Sequence, residues 1–304
     1  VRILVTGATG FVGRWLLEEL RAGGHEAVGA PGSRELDIED TTGVARLIRE
    51  VRPDAIAHLA GVAYAGDAKR DPARAHNVNA GGSAVVILGA GESGRVPVLV
   101  TGSSEVYGDP DPADLPLREE AELRPLQAYG RSKLAQEEAA LETSEWTGVP
   151  VALTRSFNQI GPGQRPEFVA PALARRVLQA RAEGNSHVRV GNLEVRRDFT
   201  DVRDAARAYR LLLEGLVAGT VPSGSVLNLA SGTATSIGEL VEHLGHIVGI
   251  TPQPVVDPEL VRPGEPGVIV GDSSKLRGLT GWSPRIPIED SLRDLVQSIE
   301  DAGA

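Results

Sequence analysis

VRILVTGATGFVGRWLLEELRAGG, residues 1–24, sets the fold. A short β-branched run ends in three spaced glycines, and an amphipathic stretch follows in which Val12, Leu16 and Leu20 share one face while Arg14, Glu18 and Arg21 lie away from it. Gly23-Gly24 then supplies a stop. The same strand and helix rhythm continues outward through EAVGA (26–30), TTGVARLIREV (41–51), DAIAHLAG (54–61) and VPVLVTGS (96–103). A helix over 126–148 and a strand over 149–158 extend it. Strands alternating with helices in this way predict an α/β fold, a doubly wound parallel sheet covered on both faces. Beyond Gly161 the rhythm breaks and then returns in DFTDVRDAARAYRLLLEGL and SVLNLAS. The expected organisation is a dinucleotide-binding domain of residues 1–160 and 197–231, with a smaller, discontinuous C-terminal substrate domain of residues 161–196 and 232–304. Two helix candidates, 236–249 and 287–302, belong to the latter, and the Pro-rich TPQPVVDPELVRPGEPG (251–267) reads as loop.

Composition narrows the function classes. A net charge of -10 with no block of Lys and Arg argues against nucleic acid and anionic membranes as partners, so any anionic ligand needs locally placed arginines. The chain has no cysteine, which removes thiolate catalysis and Cys-based zinc sites, and its six histidines include no H-E-x-x-H pair; no metal is expected. No apolar run approaches the roughly 18 residues of a membrane span, and no basic segment followed by an apolar signal core is present. A soluble, cytoplasmic protein is the expectation.

Gly7, Gly10 and Gly13 lie between the first strand and the first helix. Glycines there let the backbone approach a pyrophosphate, whose charge meets the N–H groups of the helix N-terminus. With this G-x-x-G-x-x-G spacing the chain resembles the extended short-chain dehydrogenases/reductases, the NAD-dependent epimerase/dehydratase family, over essentially its whole length. The resemblance implies a Rossmann-type domain in which Gly7, Thr9, Gly10, Phe11, Val12 and Gly13 cradle the dinucleotide, Asp37 and Ile38 lie beside the adenine, and Leu59, Ala60 and Gly61 line it. An acidic residue after the second strand would bind the ribose of NAD; Ala30, Pro31, Gly32, Ser33 and Arg34 stand there instead, which favours NADP(H) over NAD(H). Arg34 could face a 2′-phosphate or be a solvated loop residue, and Asp37 could reach a ribose if the loop folds back.

Tyr129 and Lys133 are four residues apart on a helix, so phenol and ammonium share a face, and a nearby cation is expected to bring the phenol toward use as an acid or base. Such a spacing is common by chance. Together with Ser103 at the end of the preceding strand and the glycine loop, it matches the Ser, Tyr and Lys set of the family. The resemblance then implies hydride transfer at a sugar carbon, with Tyr129 exchanging the proton, Ser103 hydrogen-bonding the carbonyl oxygen and Lys133 tuning Tyr129 and holding the nicotinamide ribose. Asn79, in HNVNAGGS, matches the family's helical asparagine, as a cofactor neighbour or a satisfied polar side chain.

The stretches 154–177 and 190–209 resemble those family members that act on GDP-4-keto-6-deoxymannose. They imply a GDP-sugar substrate contacted by Ser103, Ser104, Glu105, Tyr129 and Asn158, with Arg197 and Arg262 on the diphosphate and Glu265 and Arg196 nearby; guanidinium groups grip phosphates bidentately. Arg175 and Arg176 are equally a solvated helix face. Reduction of the 4-keto group is the leading expectation. A 4,6-dehydratase is the rival, since Glu105 beside Ser103 could take the C5 proton, and a non-catalytic dinucleotide sensor on the same fold is a third reading. The family commonly pairs through the helices near 71–94 and 126–146, so a homodimer is expected.

Overall fold

A computed structural model describes residues 1–261 and 264–303; Arg262 lies outside the described residues. In chain order the strands are β1 (Arg2–Thr6), β2 (Glu26–Gly29), β3 (Ala55–His58), β4 (Val98–Thr101), β5 (Val151–Ser156), β6 (Asn158–Ile160), β7 (His187–Val190), β8 (Arg196–Asp201), β9 (Ser225–Leu229), β10 (Ala234–Ser236), β11 (Gln253–Val256) and β12 (Val268–Ile269). The helices are α1 (Phe11–Ala22), α2 (Thr41–Val51), α3 (Ala65–Arg70), α4 (Pro72–His76), α5 (Gly82–Glu92), α6 (Ala128–Thr147), α7 (Val169–Ala182), α8 (Val202–Ala218), α9 (Ile237–Val248), α10 (Ser274–Thr280) and α11 (Ile288–Gly303), with a π-helical turn at Asn77–Gly81.

Six strands form one parallel sheet in the order β2-β1-β3-β4-β5-β9. Side chains alternate across it. Ile3, Val5 and Leu99 point into a core with Leu16, Leu20, Tyr209 and Leu212 of α1 and α8, and Leu4, Ile56, Val98 and Val100 into a second with Ile48, Val86 and Ile87 of α2 and α5. Burial on both faces explains why these strands read as continuous apolar runs. The strands following β1 in sequence lie on opposite sides of it, so the crevice at the carboxyl ends of β1 and β3 is the switch point where such sheets take ligands.

The remaining strands build a smaller domain. β8 is flanked by β10 and β12 and also pairs with β6, while β11 pairs with β7. Its core joins Leu173 and Val177 of α7, Leu240 and Leu244 of α9, and Leu292 and Leu295 of α11.

The chain passes between the two domains at more points than its rhythm indicates. β6 leaves the large sheet directly after the Phe157 N–H has bonded Leu229 O at 2.9 Å, and β8 lies wholly in the small sheets. Conversely, Leu276 of α10 and Trp282 join the core beneath the large sheet, where the Trp282 indole donates to Asp204 O at 2.9 Å. The Pro-rich stretch expected as loop contains β11, parallel to β7 in the register Gln253↔His187. Pro254 is tolerated because β11 is an exposed edge strand.

Candidate active site

The glycine loop is shaped by its own contacts. Gly7 has φ of +69°, and a Cβ there would lie 2.7 Å from Ala60 N; at Gly13 it would lie 2.2 Å from Gly7 O. The loop is thus wedged between the end of β3 and the first turn of α1. Gly10 caps α1 with no side-chain hydrogen bond, so no side chain competes for the N–H groups at this helix start. Thr9 and Gly10 are exposed, and Phe11 and Val12 half-buried. A loop bare of Cβ atoms at Gly7, Gly10 and Gly13, facing unshielded N–H groups, fits a pyrophosphate. The segment after β2 borders it, since a Cβ on Gly32 would be 3.8 Å from Thr9 Oγ1. Arg34 and Asp37 are both exposed, and Asp37 Oδ1 accepts from Glu39 N at 3.0 Å. Ile38 is buried against Gly82.

At the end of β3, Leu59 and Ala60 are half-buried and Gly61 is exposed. A Cβ on Gly61 would meet Asn79 Oδ1 at 2.7 Å and Lys133 Nζ at 3.8 Å, which brings the segment after β3 to α6. Asn79 is fully buried in the π-helical turn. Its amide accepts from Val62 N at 2.8 Å and donates to Val62 O at 3.2 Å and Ser132 Oγ at 2.9 Å. This arrangement makes it a brace between the post-β3 segment and α6.

Lys133 is buried and its Nζ donates to Thr101 O at 3.1 Å and Gln136 Oε1 at 2.8 Å. Burial lowers its pKa to about 8. Tyr129 moves the other way. Burial pushes its phenol up, a hydrogen bond with Ser103 opposes this, and the charges of Glu105 and Tyr209 add to the rise. The expected lowering by Lys133 is not among the influences on this phenol, and the net direction is upward, so the phenol is protonated at neutral pH. That is the resting state a proton donor requires.

Gly130 explains how Ser103 and Glu105 reach Tyr129. A Cβ on Gly130 would lie 2.5 Å from Glu105 O, so only the bare helix surface lets the 3₁₀ turn Ser104–Val106 seat against α6. Ser103 is buried and caps this turn, its Oγ accepting from Glu105 N at 3.2 Å; Ser104 is buried and Glu105 exposed.

Sequence reasoning missed the braces behind this group. On α6, Glu137 lies eight residues beyond Tyr129, and its carboxylate forks onto Arg155 of β5 at 3.0 and 2.6 Å. Arg155 also donates to Tyr107 OH at 3.1 Å and Glu119 O at 2.7 Å, and Tyr107 OH donates to Asn228 Oδ1 at 2.7 Å. A single charged residue in a strand buried along nearly its whole length, VALTRS, was the available signal. In the small domain Asp198, fully buried, accepts from Ser231 N, Ser231 Oγ, Gly232 N and Gly271 N, tying two loops to β8. Burial raises its pKa against these hydrogen bonds.

The expected substrate residues sit on this second wall. Asn158 donates to Asp198 O at 3.3 Å. Arg197 donates to Arg196 O and Pro266 O, both at 2.9 Å, and pairs with Glu265 at 2.9 Å. Arg196 is committed to Glu239 at 3.1 Å, beside the α9 capping box. Arg176 donates to Arg189 O at 3.1 Å, and Arg175 is exposed on α7. Among the described residues no cluster of three His, Asp or Glu side chains could hold a metal, and no helix is long and apolar enough to cross a membrane.

Residues 3–230 match the NAD dependent epimerase/dehydratase family. The chain belongs to that family. A family relative, the GDP-6-deoxy-D-mannose reductase of Pseudomonas aeruginosa, is 36% identical over 98% of this chain and 97% of its own length. The solved structure of RMD from P. aeruginosa complexed with NADPH superposes with a TM-score of 0.89 at 34% identity, covering 99% of each chain. The UDP-glucose 4-epimerase of Thermotoga maritima, solved with UDP-glucose, gives a TM-score of 0.87 at 26% identity, covering all of both chains. Family membership and the glycine cradle together assign the crevice at β1 and β3 to a nicotinamide dinucleotide.

Proposed function

We propose that this epimerase/dehydratase-family enzyme reduces the 4-keto group of a GDP-4-keto-6-deoxyhexose to GDP-6-deoxy-D-mannose, using NADPH. The observation that carries the reading is the whole-length similarity at 36% identity to a reductase of that class, joined to a Tyr129 that stands one helical turn before Lys133 on α6, where the Ser103 turn seats at Gly130. When bound, the reduced nicotinamide supplies the hydride that goes to C4. Tyr129 gives its phenolic proton to the oxygen that becomes the hydroxyl. Ser103 donates a hydrogen bond to the same oxygen, aligning the carbonyl and stabilising the charge that develops on it. The Lys133 ammonium, beside Gly61, holds the nicotinamide ribose and supports the phenolate left on Tyr129. Asn158 and Arg197 take the sugar nucleotide, the Arg197 guanidinium exchanging Glu265 for a phosphate oxygen. Pro31 to Arg34, with no carboxylate among them, favour the 2′-phosphate cofactor. We also propose a dinucleotide-binding domain built on the six-stranded sheet with α1, α2, α5, α6, α8 and α10, a substrate domain built on β6–β8, β10–β12, α7, α9 and α11, so that the expected division at 160/161 and 196/197 shifts by the few residues of β6 and β8, and a homodimer built on the α4–α5 and α6 faces, where Leu126 and Trp146 are exposed.

The 4,6-dehydratase reading has its own observation, the charge of Glu105 acting on Tyr129. Separate incubations with GDP-mannose and GDP-4-keto-6-deoxymannose, with reduced cofactor followed by absorbance, decide between them. Stoichiometric oxidation with the keto sugar alone supports reduction. Water loss from GDP-mannose without net oxidation overturns it, and interconversion of UDP-glucose and UDP-galactose would place the chain with the epimerases.

A further inference from the structure

Gln136 is almost completely buried on α6, three residues after Lys133. Its side-chain amide cannot be turned around without loss. Nε2 donates to Ser83 Oγ at 2.8 Å, and the Ser83 hydroxyl has already given its own proton to Asn79 O at 2.7 Å, so Ser83 can only accept from Gln136. Oε1 must therefore face Lys133, whose Nζ it meets at 2.8 Å. The second Nζ hydrogen goes to Thr101 O at 3.1 Å, and Nζ lies beside Gly61, at 3.8 Å from where a Cβ would stand there. Both hydrogen-bond acceptors of the ammonium are neutral.

The titratable groups around it leave its charge in place. His58 of β3 is held neutral by burial and by Lys133 itself. Glu137 of α6 is spent on Arg155. Tyr129 is protonated, and Glu105, on the turn after β4, acts on that phenol. We propose that Gln136 is a positioning residue for proton transfer: a neutral acceptor, fixed by Ser83 and the Asn79 turn, that aims the Lys133 ammonium at the Gly61 cleft and leaves its charge available to the Tyr129 phenolate. A carboxylate in the same place would hold Nζ as well but neutralise it. The inference rests on the roles of Tyr129 and Lys133 given above.

The chain has three lysines, Lys69, Lys133 and Lys275, so ¹³Cε-lysine NMR follows Lys133 directly in the protein without sugar, the exposed Lys69 and Lys275 serving as internal references. Gln136→Glu should raise the Lys133 titration by more than about one pH unit, and Gln136→Met, which removes the acceptor at similar volume, should lower it. In turnover Gln136→Glu should lower kcat by more than about tenfold while leaving the KM for reduced cofactor within about threefold. A Lys133 titration that stays put in both variants, or moves in the same direction in both, overturns the proposal. Should the Gln136→Glu chain not fold, Gln136→Met decides alone: a lowered titration supports the proposal and an unmoved one refutes it. Failure to reduce the keto sugar would strike the functional reading and leave the lysine result standing.

Discussion

Glu137→Gln tests what holds α6, which carries Tyr129 and Lys133, in register. Arg155 and Glu137 are 5% and 8% exposed, and their fork spans 3.0 and 2.6 Å, so removing the carboxylate charge leaves a guanidinium buried without its counter-ion. Burial opposes that charge, and the Glu137 hydrogen bonds and charge outweigh the opposition to raise the Arg155 pKa. Breaking a buried pair by removing one partner costs about 3–5 kcal/mol. The glutamine keeps one of the two contacts, and Tyr107 OH and Glu119 O still accept from Arg155, which places the loss near the lower end, about 3 kcal/mol. Replacing both residues by methionine removes both charges and should lose less than the single variant, about 2 kcal/mol or under. Urea denaturation followed by tryptophan fluorescence and far-UV circular dichroism gives both values. Turnover should fall in the single variant while cofactor affinity changes little, because Tyr129 and Lys133 sit two turns and one turn before Glu137 on the same face. A loss under about 1 kcal/mol, the value for solvent-screened pairs, would refute the claim that this fork fixes α6.

Other perturbations address the site directly. Tyr129→Phe should lower turnover by about 10²-fold or more with cofactor affinity within about threefold, measured by steady-state kinetics and fluorescence titration; unaltered turnover would remove Tyr129 as the donor. Gly13→Ala places a Cβ 2.2 Å from Gly7 O and should cost about 1–3 kcal/mol and weaken cofactor binding at least about tenfold, read by thermal melts and titration. Glu105→Gln should leave most of the keto-sugar reduction if the chain is a reductase, and near-total loss would favour elimination. His58 has its pKa lowered to about 3, by burial first and Lys133 second, from an unfolded value near 6.5. Between those values the unfolded chain binds the extra proton, so stability contributed by neutral His58 is present above about pH 6.5 and lost as pH falls through about 3, on the order of 5 kcal/mol in all. His58→Gln should flatten the acid limb of a stability-versus-pH curve, and an unchanged limb would show that His58 does not set it.

The parallel sheet could be read from sequence because burial on both faces forces apolar runs such as RILVT and AIAH, and because the glycine loop needs a strand before it and a helix after it. The small domain was harder. Its strands are short, three of them are two or three residues long, and β11 is an exposed edge carrying Pro254, so neither periodicity nor propensity marks them. α10 and Trp282 illustrate a different limit: Leu276 and Trp282 pack under the large sheet from a stretch remote in sequence, and only the folded chain shows which core they join.

In the candidate site, the residues proposed to act on cofactor and substrate could be named from sequence, and the ones that brace them could not. Tyr129 and Lys133 were singled out because their helical spacing, with Ser103 and the glycine loop, matches the family's set, and Gly7 to Gly13 because of the backbone approach a phosphate demands. Gln136, Ser83 and Glu137 have no such local signature. A glutamine or serine on a helix reads as surface until a neighbouring element buries it, and the acceptor role of Gln136 depends on where the proton of Ser83, 53 residues away, is sent. The raised Tyr129 pKa has the same origin. Four-residue spacing predicted an ammonium lowering the phenol, whereas burial of the phenol and the charge of Glu105 set the net direction. Sequence spacing therefore identifies which groups share a helix face, and the desolvation and hydrogen bonds supplied by distant segments determine their protonation states.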